Sequence, residues 1–338
     1  MTAKPLVSLI CPVYNEAAGI AALIDAIASL KEKLKTSFDL ELIVINDGSE
    51  DQTLTLLLKA QTDASWLRVI DLSRNFGKEA ALSCGLDEAK GDCVIPIDAD
   101  LQDPPELIPA MLSAWRDEGY EVVLAKRQLR SQDSWGKRAS ARWFYRIHNH
   151  LAAPSLPEDV GDFRLMDRRV VDALKQLPER NRFMKGLYAW VGFASTAIDY
   201  EPLPRAAGES SFGLRGSFAL AFTGVLAFSI APLRALTLLG FILATLALGY
   251  GAFVIAEYFL WGIDVPGYAT LVVGMMFFSG IQLLSIGVLA EYVGRIYEEV
   301  KQRPMYLVSH RFGAGLALAP VRTELPVKAN PHEPEIGV

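Results

Sequence analysis

Cysteine and histidine are scarce in this chain. Its 338 residues include three cysteines and four histidines, and Cys11, Cys84 and Cys93 have neither the spacing of a metal-binding motif nor that of a disulfide framework. Because all three lie on or beside apolar segments, we expect small buried side chains in a reducing compartment. His148 and His150 are two positions apart, so on a helix they point to different sides and are not predicted to bind a metal.

Several signatures of common protein classes are absent. There is no Gly-x-x-x-x-Gly-Lys-Ser/Thr and no Gly-x-Gly-x-x-Gly, which disfavours a P-loop NTPase and a dinucleotide-dependent dehydrogenase. The net charge of −6 provides no global basic surface for nucleic acid. The apolar run Leu6–Cys11 is too short for a signal peptide, so the N-terminal domain is expected to stay in the cytosol.

Hydrophobic residues make up 51% of the chain, and the excess is concentrated in its second half. The runs 235–256 and 269–290 carry no charged residue, and each is about long enough to cross a bilayer. Lysines and arginines flank the pair, whereas the short loop between the runs has none, so both ends are predicted to be cytosolic. The apolar segment before them is predicted to lie in the membrane interface. The predicted units are 1–210 (cytosolic domain), 211–232 (interfacial helices), 233–292 (two transmembrane helices) and 293–338 (cytosolic segment with a disordered end).

The first 210 residues alternate between apolar strand-like runs and amphipathic segments. This alternation at short spacing predicts an α/β domain with a mainly parallel, doubly wound sheet. The predicted strands are Val7–Val13, Leu40–Ile45, Leu67–Leu72, Val94–Ile97 and Glu121–Ala125.

Four consecutive predicted strands end in polar or charged residues. These residues are Tyr14 and Glu16, Asp47, Arg74 and Lys78, and Asp98 and Asp100. The carboxyl ends of parallel strands share one edge of a sheet, which is where open α/β sheets bind ligands. Each residue alone also fits a cap or a turn, but their coincidence at one edge favours a nucleotide site.

The segment Asp98-Ala-Asp-Leu-Gln-Asp-Pro-Pro-Glu106 is central to this prediction. Two carboxylates one residue apart repel each other unless a cation lies between them. Mg²⁺ and Mn²⁺ take oxygen ligands and leave positions for substrate phosphates, so the pair is a candidate metal–diphosphate site. The alternative is a solvated loop with a helix cap, and Asp103 is predicted to be an N-cap.

Four ordered motifs resemble those of family 2 glycosyltransferases of the GT-A fold. They are Pro12-Val-Tyr-Asn-Glu16, Asn46-Asp-Gly-Ser-x-Asp-x-Thr53, Ser73-Arg-Asn-Phe-Gly-Lys-Glu79 and Asp98 to Glu106. Within that family the chain, from about Leu6 to Arg311, is similar to polyprenyl-phosphate glycosyltransferases such as dolichol-phosphate mannose synthase and bactoprenol glucosyltransferases. Many relatives carry Asp at the position of Asn46.

The resemblance implies a role for particular residues. Donor binding is implied for Pro12, Tyr14, Glu16, Asp47, Lys78, Asp98, Ala99 and Arg205. Metal binding, by Mg²⁺ or Mn²⁺, is implied for Asp98, Asp100 and Gln102. Binding of the acceptor phosphate is implied for Arg127 and Arg138, and a part in catalysis for Asp100, Asp162 and Arg205. Asp162 could instead pair with Arg164 or cap a helix. The segment Asn181–Gly186 is a further candidate for the pocket.

The expected function is transfer of one sugar from a nucleotide-diphosphate sugar, most simply UDP-glucose, to undecaprenyl phosphate for cell-envelope polysaccharide. The expected location is the inner (plasma) membrane, with a possible homotetramer and no nucleic-acid partner. One rival hypothesis is a non-enzymatic membrane scaffold or flippase partner with a degenerate transferase domain. Another is a glycosyltransferase that uses a different lipid acceptor.

Overall fold

The alternating segments build one mixed sheet. The computed structural model describes residues 4–128, 160–177, 179–180, 182–201, 231–261 and 267–313. The strands within these residues are β1 (Leu6–Val13), β2 (Asp39–Asn46), β3 (Leu67–Leu72), β4 (Cys93–Pro96), β5 (Val122–Arg127), β6 (Val160–Asp167), β7 (Ser195–Tyr200) and β8 (Val308–Phe312).

The sheet has the strand order β7-β5-β6-β4-β1-β2-β3-β8. Strands β4, β1, β2 and β3 are mutually parallel, as predicted from the sequence. Strand β6 lies antiparallel between β4 and β5, and β8 lies antiparallel on the outer edge of β3. The expected GT-A-like α/β fold is therefore confirmed as a mixed sheet with a parallel centre.

Helices cover both faces of this sheet. They are α1 (Ile20–Leu34), α2 (Thr53–Asp63), α3 (Lys78–Glu88), α4 (Ile108–Arg116), α5 (Arg168–Lys175) and α6 (Met184–Trp190). One core packs α1, α2 and α4 against alternate strand residues such as Leu42, and the other packs α3, α5 and α6 against residues such as Ile43. Strands with both faces covered must be apolar throughout, which explains the near-continuous hydrophobic runs of β1 and β2.

Helix α3 packs very closely on the parallel centre of the sheet. A Cβ atom at Gly85 would lie 2.9 Å from Ile45 Cδ1 and 3.0 Å from Ile10 Cβ. The missing side chain thus lets the helix approach β1 and β2, and it brings the first turn of α3 to the sheet edge where β4 ends.

Two long helices lie between β7 and β8 in the sequence, α7 (Ala231–Trp261) and α8 (Tyr268–Val300). The predicted spans 235–256 and 269–290 lie inside them. Among the residues that the structure describes, one helical segment is long and apolar enough to cross a membrane, Gly274–Val300, with hydropathy 1.5. The second span remains a prediction. The predicted interfacial segment lies outside the described residues except for its last two, which belong to α7.

Candidate functional site

The parallel strands place the predicted polar residues at one edge of the sheet. Tyr14 follows β1 directly and is 43% exposed, whereas Asp47 follows β2 and is buried. Lys78 begins α3 after β3, and Asp98 lies two residues beyond β4. The residues predicted at the carboxyl ends of four strands are therefore neighbours in space.

Hydrogen bonds between motif residues join the loop after β1 to the loop after β2. The backbone N–H of Asn15 donates to Ser49 Oγ at 2.9 Å, and the N–H of Glu50 donates to Asn15 Oδ1 at 2.9 Å. The N–H of Glu16 donates to Thr53 Oγ1 at 2.9 Å. Asn15 has φ of 55°, a left-handed conformation that asparagine tolerates better than most residues. These contacts fix the carboxyl end of β1, where Pro12 is the last residue but one of the strand and Tyr14 follows it.

Asp47 connects the end of β2 to the loop before α3. Its two carboxylate oxygens accept the backbone N–H groups of Phe76 and Gly77 at 2.7 and 2.9 Å. Burial raises the pKa of this carboxyl, although the two amide hydrogen bonds act in the opposite direction. The next residue, Gly48, also lies close to the segment before α3, because a Cβ atom on Gly48 would lie 2.4 Å from the backbone carbon of Arg74. Asp47 thus positions the loop that leads to Lys78.

The surroundings of Asn46 explain why an amide stands at this position, where many relatives have Asp. The side chain is 1% exposed, and its Nδ2 donates to Asp71 Oδ1 at 2.7 Å on the neighbouring strand β3. The acceptor is a carboxylate, so an Asp at position 46 would bring two carboxylates together in a buried place. The amide is therefore matched to Asp71.

Lys78 bridges two carboxylates that are distant in the sequence. Its Nζ lies 2.8 Å from Asp98 Oδ1 and 3.2 Å from Asp162 Oδ2. Burial opposes the charge on Lys78, but the attraction of Asp98 and Asp162 raises its pKa overall. Burial likewise acts to raise the pKa of Asp162, yet Lys78, Lys185 and Arg164 together hold it below its usual value. The predicted active-site acid thus pairs with Lys78.

The alternatives for Asp162 were a pair with Arg164 or a helix cap. Within the described chain Arg164 makes no ion pair with Asp162; it donates to the carbonyl of Gly161 at 2.6 Å and lies 4.0 Å from the ring centre of Tyr188. Asp162 itself lies inside β6, so it caps no helix.

The Asp98–Gln102 turn carries three side chains with oxygen donors, those of Asp98, Asp100 and Gln102. Leu101 adopts φ of 54°, an uncommon conformation for a bulky side chain, and the backbone N–H of Gln102 donates to Asp100 Oδ1 at 3.1 Å. Across the described ranges no group of three or more His, Cys, Asp or Glu forms a metal cage. Two carboxylates with one amide side chain fit Mg²⁺ or Mn²⁺ whose remaining ligands are water and a substrate diphosphate.

A polar pocket of about 220 Å³ opens beside this turn. Its polar lining residues are Lys78, Asp98, Asp103, Arg127, Asp162 and Lys185. Three cations and three carboxylates line it, a composition that suits a charged, phosphate-bearing ligand.

Asp103 was predicted to cap a helix, and that prediction was wrong. The following short helical turn, Pro105–Leu107, has no side-chain cap. Asp103 instead lies buried and accepts hydrogen bonds from Arg127 Nη2, at 2.8 Å, and from the hydroxyl of Tyr200. Arg127 Nε donates to the same hydroxyl at 2.9 Å. One edge of the guanidinium is thus held by two partners from other elements, which fixes its direction at the pocket.

Some predicted site residues lie outside the described residues, namely Arg138 and Arg205. Ala99 is buried between the two carboxylates of the turn. Tyr200 and the new role of Asp103 were missed by sequence reasoning, because the end of β7 carries no motif. Lys185 falls within the segment that was expected to contribute to the pocket, and it does line the pocket.

The fold and this edge define a class: an α/β protein with a charged pocket at the carboxyl ends of its parallel strands. Residues 8–175 match the model of glycosyl transferase family 2. The chain is 46% identical over 306 residues to an uncharacterized glycosyltransferase of Synechocystis sp., covering 90% of this chain and 95% of the relative. It is 45% identical over 307 residues to the SfII prophage-derived bactoprenol glucosyl transferase of Shigella flexneri, covering 90% and 98%.

The chain therefore belongs to glycosyl transferase family 2 and is a glycosyltransferase. Its resemblance to polyprenyl-phosphate members of the family is confirmed. A prophage bactoprenol glucosyl transferase homolog of Escherichia coli is also similar, with 44% identity over 302 residues, 89% of this chain and 98% of the relative. A solved structure of glucosyl-3-phosphoglycerate synthase from Mycobacterium tuberculosis matches at a TM-score of 0.48 and 19% identity, over 66% of this chain and 78% of that chain. Nothing about the ligands of this chain follows from that weaker likeness.

Proposed function

We propose that this glycosyltransferase moves one sugar from a nucleotide-diphosphate sugar to undecaprenyl phosphate at the cytosolic face of the plasma membrane. The observation that carries the proposal is the pocket in which Lys78 joins Asp98 to Asp162 beside Arg127. Relatives over 89–90% of the chain are named bactoprenol glucosyl transferases, which supports the lipid acceptor and glucose as the sugar.

The donor would lie along the edge formed by the first two strands. The exposed ring of Tyr14 offers a stacking surface for a nucleobase, with Pro12, Glu16 and Asp47 around the base and ribose. Asp47 contributes by its contacts with the loop before α3, since both its oxygens already accept amide hydrogen bonds. UDP-glucose is the donor that we expect.

The diphosphate of the donor would meet the turn at Asp98 to Gln102. When bound there by Asp98, Asp100 and the side chain of Gln102, a divalent metal would supply positive charge to the departing diphosphate. Arg205, which lies outside the described residues, is proposed to add a second positive charge to that leaving group.

The acceptor needs no strong general base. A phosphate monoester is already an anion near neutral pH, since its second pKa is about 6. One of its oxygens would attack the anomeric carbon, forming a new carbon–oxygen bond while the bond from that carbon to the nucleoside diphosphate breaks, with inversion. Lys78 stays protonated and Asp162 stays ionised because of their mutual attraction, so neither fits a proton donor or acceptor at neutral pH. We propose that they hold the reacting sugar and orient Asp98.

The two long helices would keep the catalytic edge close to its lipid substrate. We propose two membrane spans in 233–292, an interfacial segment in 211–232 and cytosolic ends. A homotetramer through the membrane helices remains an open part of the proposal. The lipid chain of the acceptor would then stay in the bilayer while its phosphate reaches Arg127 and Arg138.

A transfer assay tests the proposal directly. Detergent-solubilised enzyme with Mg²⁺ or Mn²⁺ and undecaprenyl phosphate is mixed with labelled UDP- and GDP-sugars, and label is counted in the organic phase. Movement of label from UDP-glucose is the expected result. Donor hydrolysis without transfer would point to another lipid acceptor, and inactivity with every donor would contradict the proposal.

The metal role is tested by Asp100→Asn. We expect turnover to fall by at least about 100-fold while the melting temperature stays close to that of the wild type, because the exchange removes charge from the diphosphate site without changing side-chain size. The matched control is Asp25→Asn, an exposed residue of α1. Near-normal turnover of Asp100→Asn, or equal loss in the control, would contradict the role.

A further inference from the structure

Lys185 differs from the other cations of the pocket in its contacts with the described residues. Lys78 is paired with Asp98 and Asp162, and Arg127 is paired with Asp103. In the part of the chain that the structure describes, the ammonium of Lys185 makes no hydrogen bond and no ion pair, although the residue is half-buried in the pocket lining. A partly desolvated cation that lines an open pocket, with no carboxylate of the described residues in direct contact, has the properties of an anion-binding group.

The electrostatics of Lys185 agree with that geometry. Burial lowers the pKa of its ammonium, and the longer-range attraction of Asp162 does not compensate; Arg164, Lys78 and Arg127 lower it further. An arriving anion would provide the stabilisation that burial removes, and would raise this pKa again. The surrounding charges thus favour an anion at this position over a second cation.

We propose that Lys185 is a direct ligand of the acceptor phosphate and shares it with Arg127. The inference rests on the proposed function, since it assigns a residue to the acceptor part of that site. A phosphate monoester carries nearly two negative charges near pH 7, and one fixed guanidinium balances only part of them. Lys185 and Arg127 reach the same pocket from different elements, α6 and β5, so a phosphate between them would contact both.

The donor diphosphate is the other source of phosphate in this enzyme. Its proposed position is the turn of Asp98 and Asp100, and Asp98 also lines the pocket that contains Lys185, so the donor and acceptor phosphates would meet in this pocket. The direction of Arg127, fixed by Asp103 and Tyr200, also leads into the pocket of Lys185. We assign Lys185 to the acceptor because it shares the pocket with Arg127, and the UDP titration below tests the donor as the alternative source of phosphate.

Binding of farnesyl phosphate, a short soluble prenyl phosphate, tests this assignment without relying on turnover. The full-length enzyme in detergent is titrated with farnesyl phosphate, with farnesol as the uncharged control, and with UDP in the presence of Mn²⁺. We expect Lys185→Met and Lys185→Gln to weaken farnesyl phosphate binding by about 10-fold or more, because a charge-assisted hydrogen bond is lost. Lys185→Arg should restore most of the affinity, and Lys90→Met, at an exposed site, should change nothing.

The outcomes separate the inference from the proposed function. Unchanged affinity in the Lys185 variants, weakening of UDP alone, equal weakening of farnesol, or no wild-type affinity for farnesyl phosphate would each overturn the inference. If farnesyl phosphate binding depends on Lys185 but the wild type moves no sugar to undecaprenyl phosphate, the inference stands and the proposed function fails.

Discussion

Single residues in the four motifs divide into those that fix loops and those that face ligands. The first group forms the hydrogen bonds that join the loops after β1 and β2, and it includes Asn15, Ser49 and Thr53. Lys78 and Asp98 instead pair with each other at the pocket. A motif position can therefore be essential for activity without touching substrate, and substitutions of the first group should affect folding before they affect chemistry.

Asn46 provides a test of the first group. We expect Asn46→Asp to lower the melting temperature at pH 8 by roughly 5 °C or more, because a buried carboxylate would then face that of Asp71. The loss should be smaller at pH 5, where one of the two can hold a proton and donate it. The double variant Asn46→Asp with Asp71→Asn should recover most of the stability, since the amide and the carboxylate only exchange places. A double variant no more stable than Asn46→Asp would contradict this account.

Glu79 makes the stability of the domain depend on pH. Burial, together with repulsion from Asp162, raises the pKa of this carboxyl from 4.5 to about 7. The folded chain then binds a proton between these values that the unfolded chain has lost, so the free energy of unfolding falls as pH rises from about 4.5 to about 7. Glu79→Gln removes this pH-dependent loss of stability. The side-chain oxygen of the glutamine can still accept the N–H of Met184.

We therefore expect the melting temperature of Glu79→Gln, relative to the wild type, to increase by about 2–6 °C between pH 5 and pH 8. Glu118→Gln, an exposed carboxyl, should show no such trend. A difference that stays constant over this pH range would mean that Glu79 titrates as an ordinary carboxyl.

At the scale of elements, strand β8 closes the outer edge of the sheet with residues that follow α8. Phe312 pairs with Val69 and packs against the core, and Arg311 forms a 2.9 Å ion pair with Glu88. The hydroxyl of Tyr306 donates to Asp87 at 2.6 Å. An uncovered edge of β3 would offer unpaired backbone groups to other chains, so β8 protects this edge as well as stabilising it.

A pair of truncations tests the contribution of β8. We expect a chain that ends at Pro304 to melt about 3–8 °C below a chain that ends at Gly313, and to aggregate more readily, because only the longer chain keeps the strand and its contacts. Light scattering and thermal unfolding in detergent measure both effects. Equal melting temperatures for the two chains would show that β8 is not part of the cooperative unit.

At the scale of the molecule, the chain leaves the catalytic domain, forms two long helices and returns to the same sheet through β8. The end of α8 also contacts the domain, because Glu299 Oε2 accepts the backbone N–H of Arg180 at 3.0 Å. Two connections to one domain limit how that domain can rotate about the helices.

Cysteine labelling tests the proposed topology in intact cells. The native cysteines Cys11, Cys84 and Cys93 are buried, so they give little background with a membrane-impermeant thiol reagent. With two spans, Asp264→Cys, between the long helices, should be labelled from outside, whereas Lys90→Cys should be labelled only after permeabilisation. Protection of Asp264→Cys until permeabilisation would favour a single span or none, and would require a different account of α7.

The amino-acid sequence alone determined the parallel centre of the sheet and the amphipathic helices that alternate with its strands. It also determined the motif residues at the carboxyl edge of the sheet. These follow from local periodicity, from the buried runs of β1 and β2, and from turn residues at strand ends, all of which are encoded within short stretches. The sequence also indicated the family through its ordered motifs.

Only the tertiary structure decided how distant polar residues are paired. Asp103 seemed to be a cap because Pro104 and Pro105 follow it, yet Arg127 and Tyr200 reach it from β5 and β7. The pairing of β8 with β3, the bridge of Lys78 to Asp162 and the place of Lys185 in the pocket were likewise decided by the tertiary structure. A buried charge is stabilised by whichever partner the fold brings within hydrogen-bonding distance, and separation in the sequence does not determine that distance.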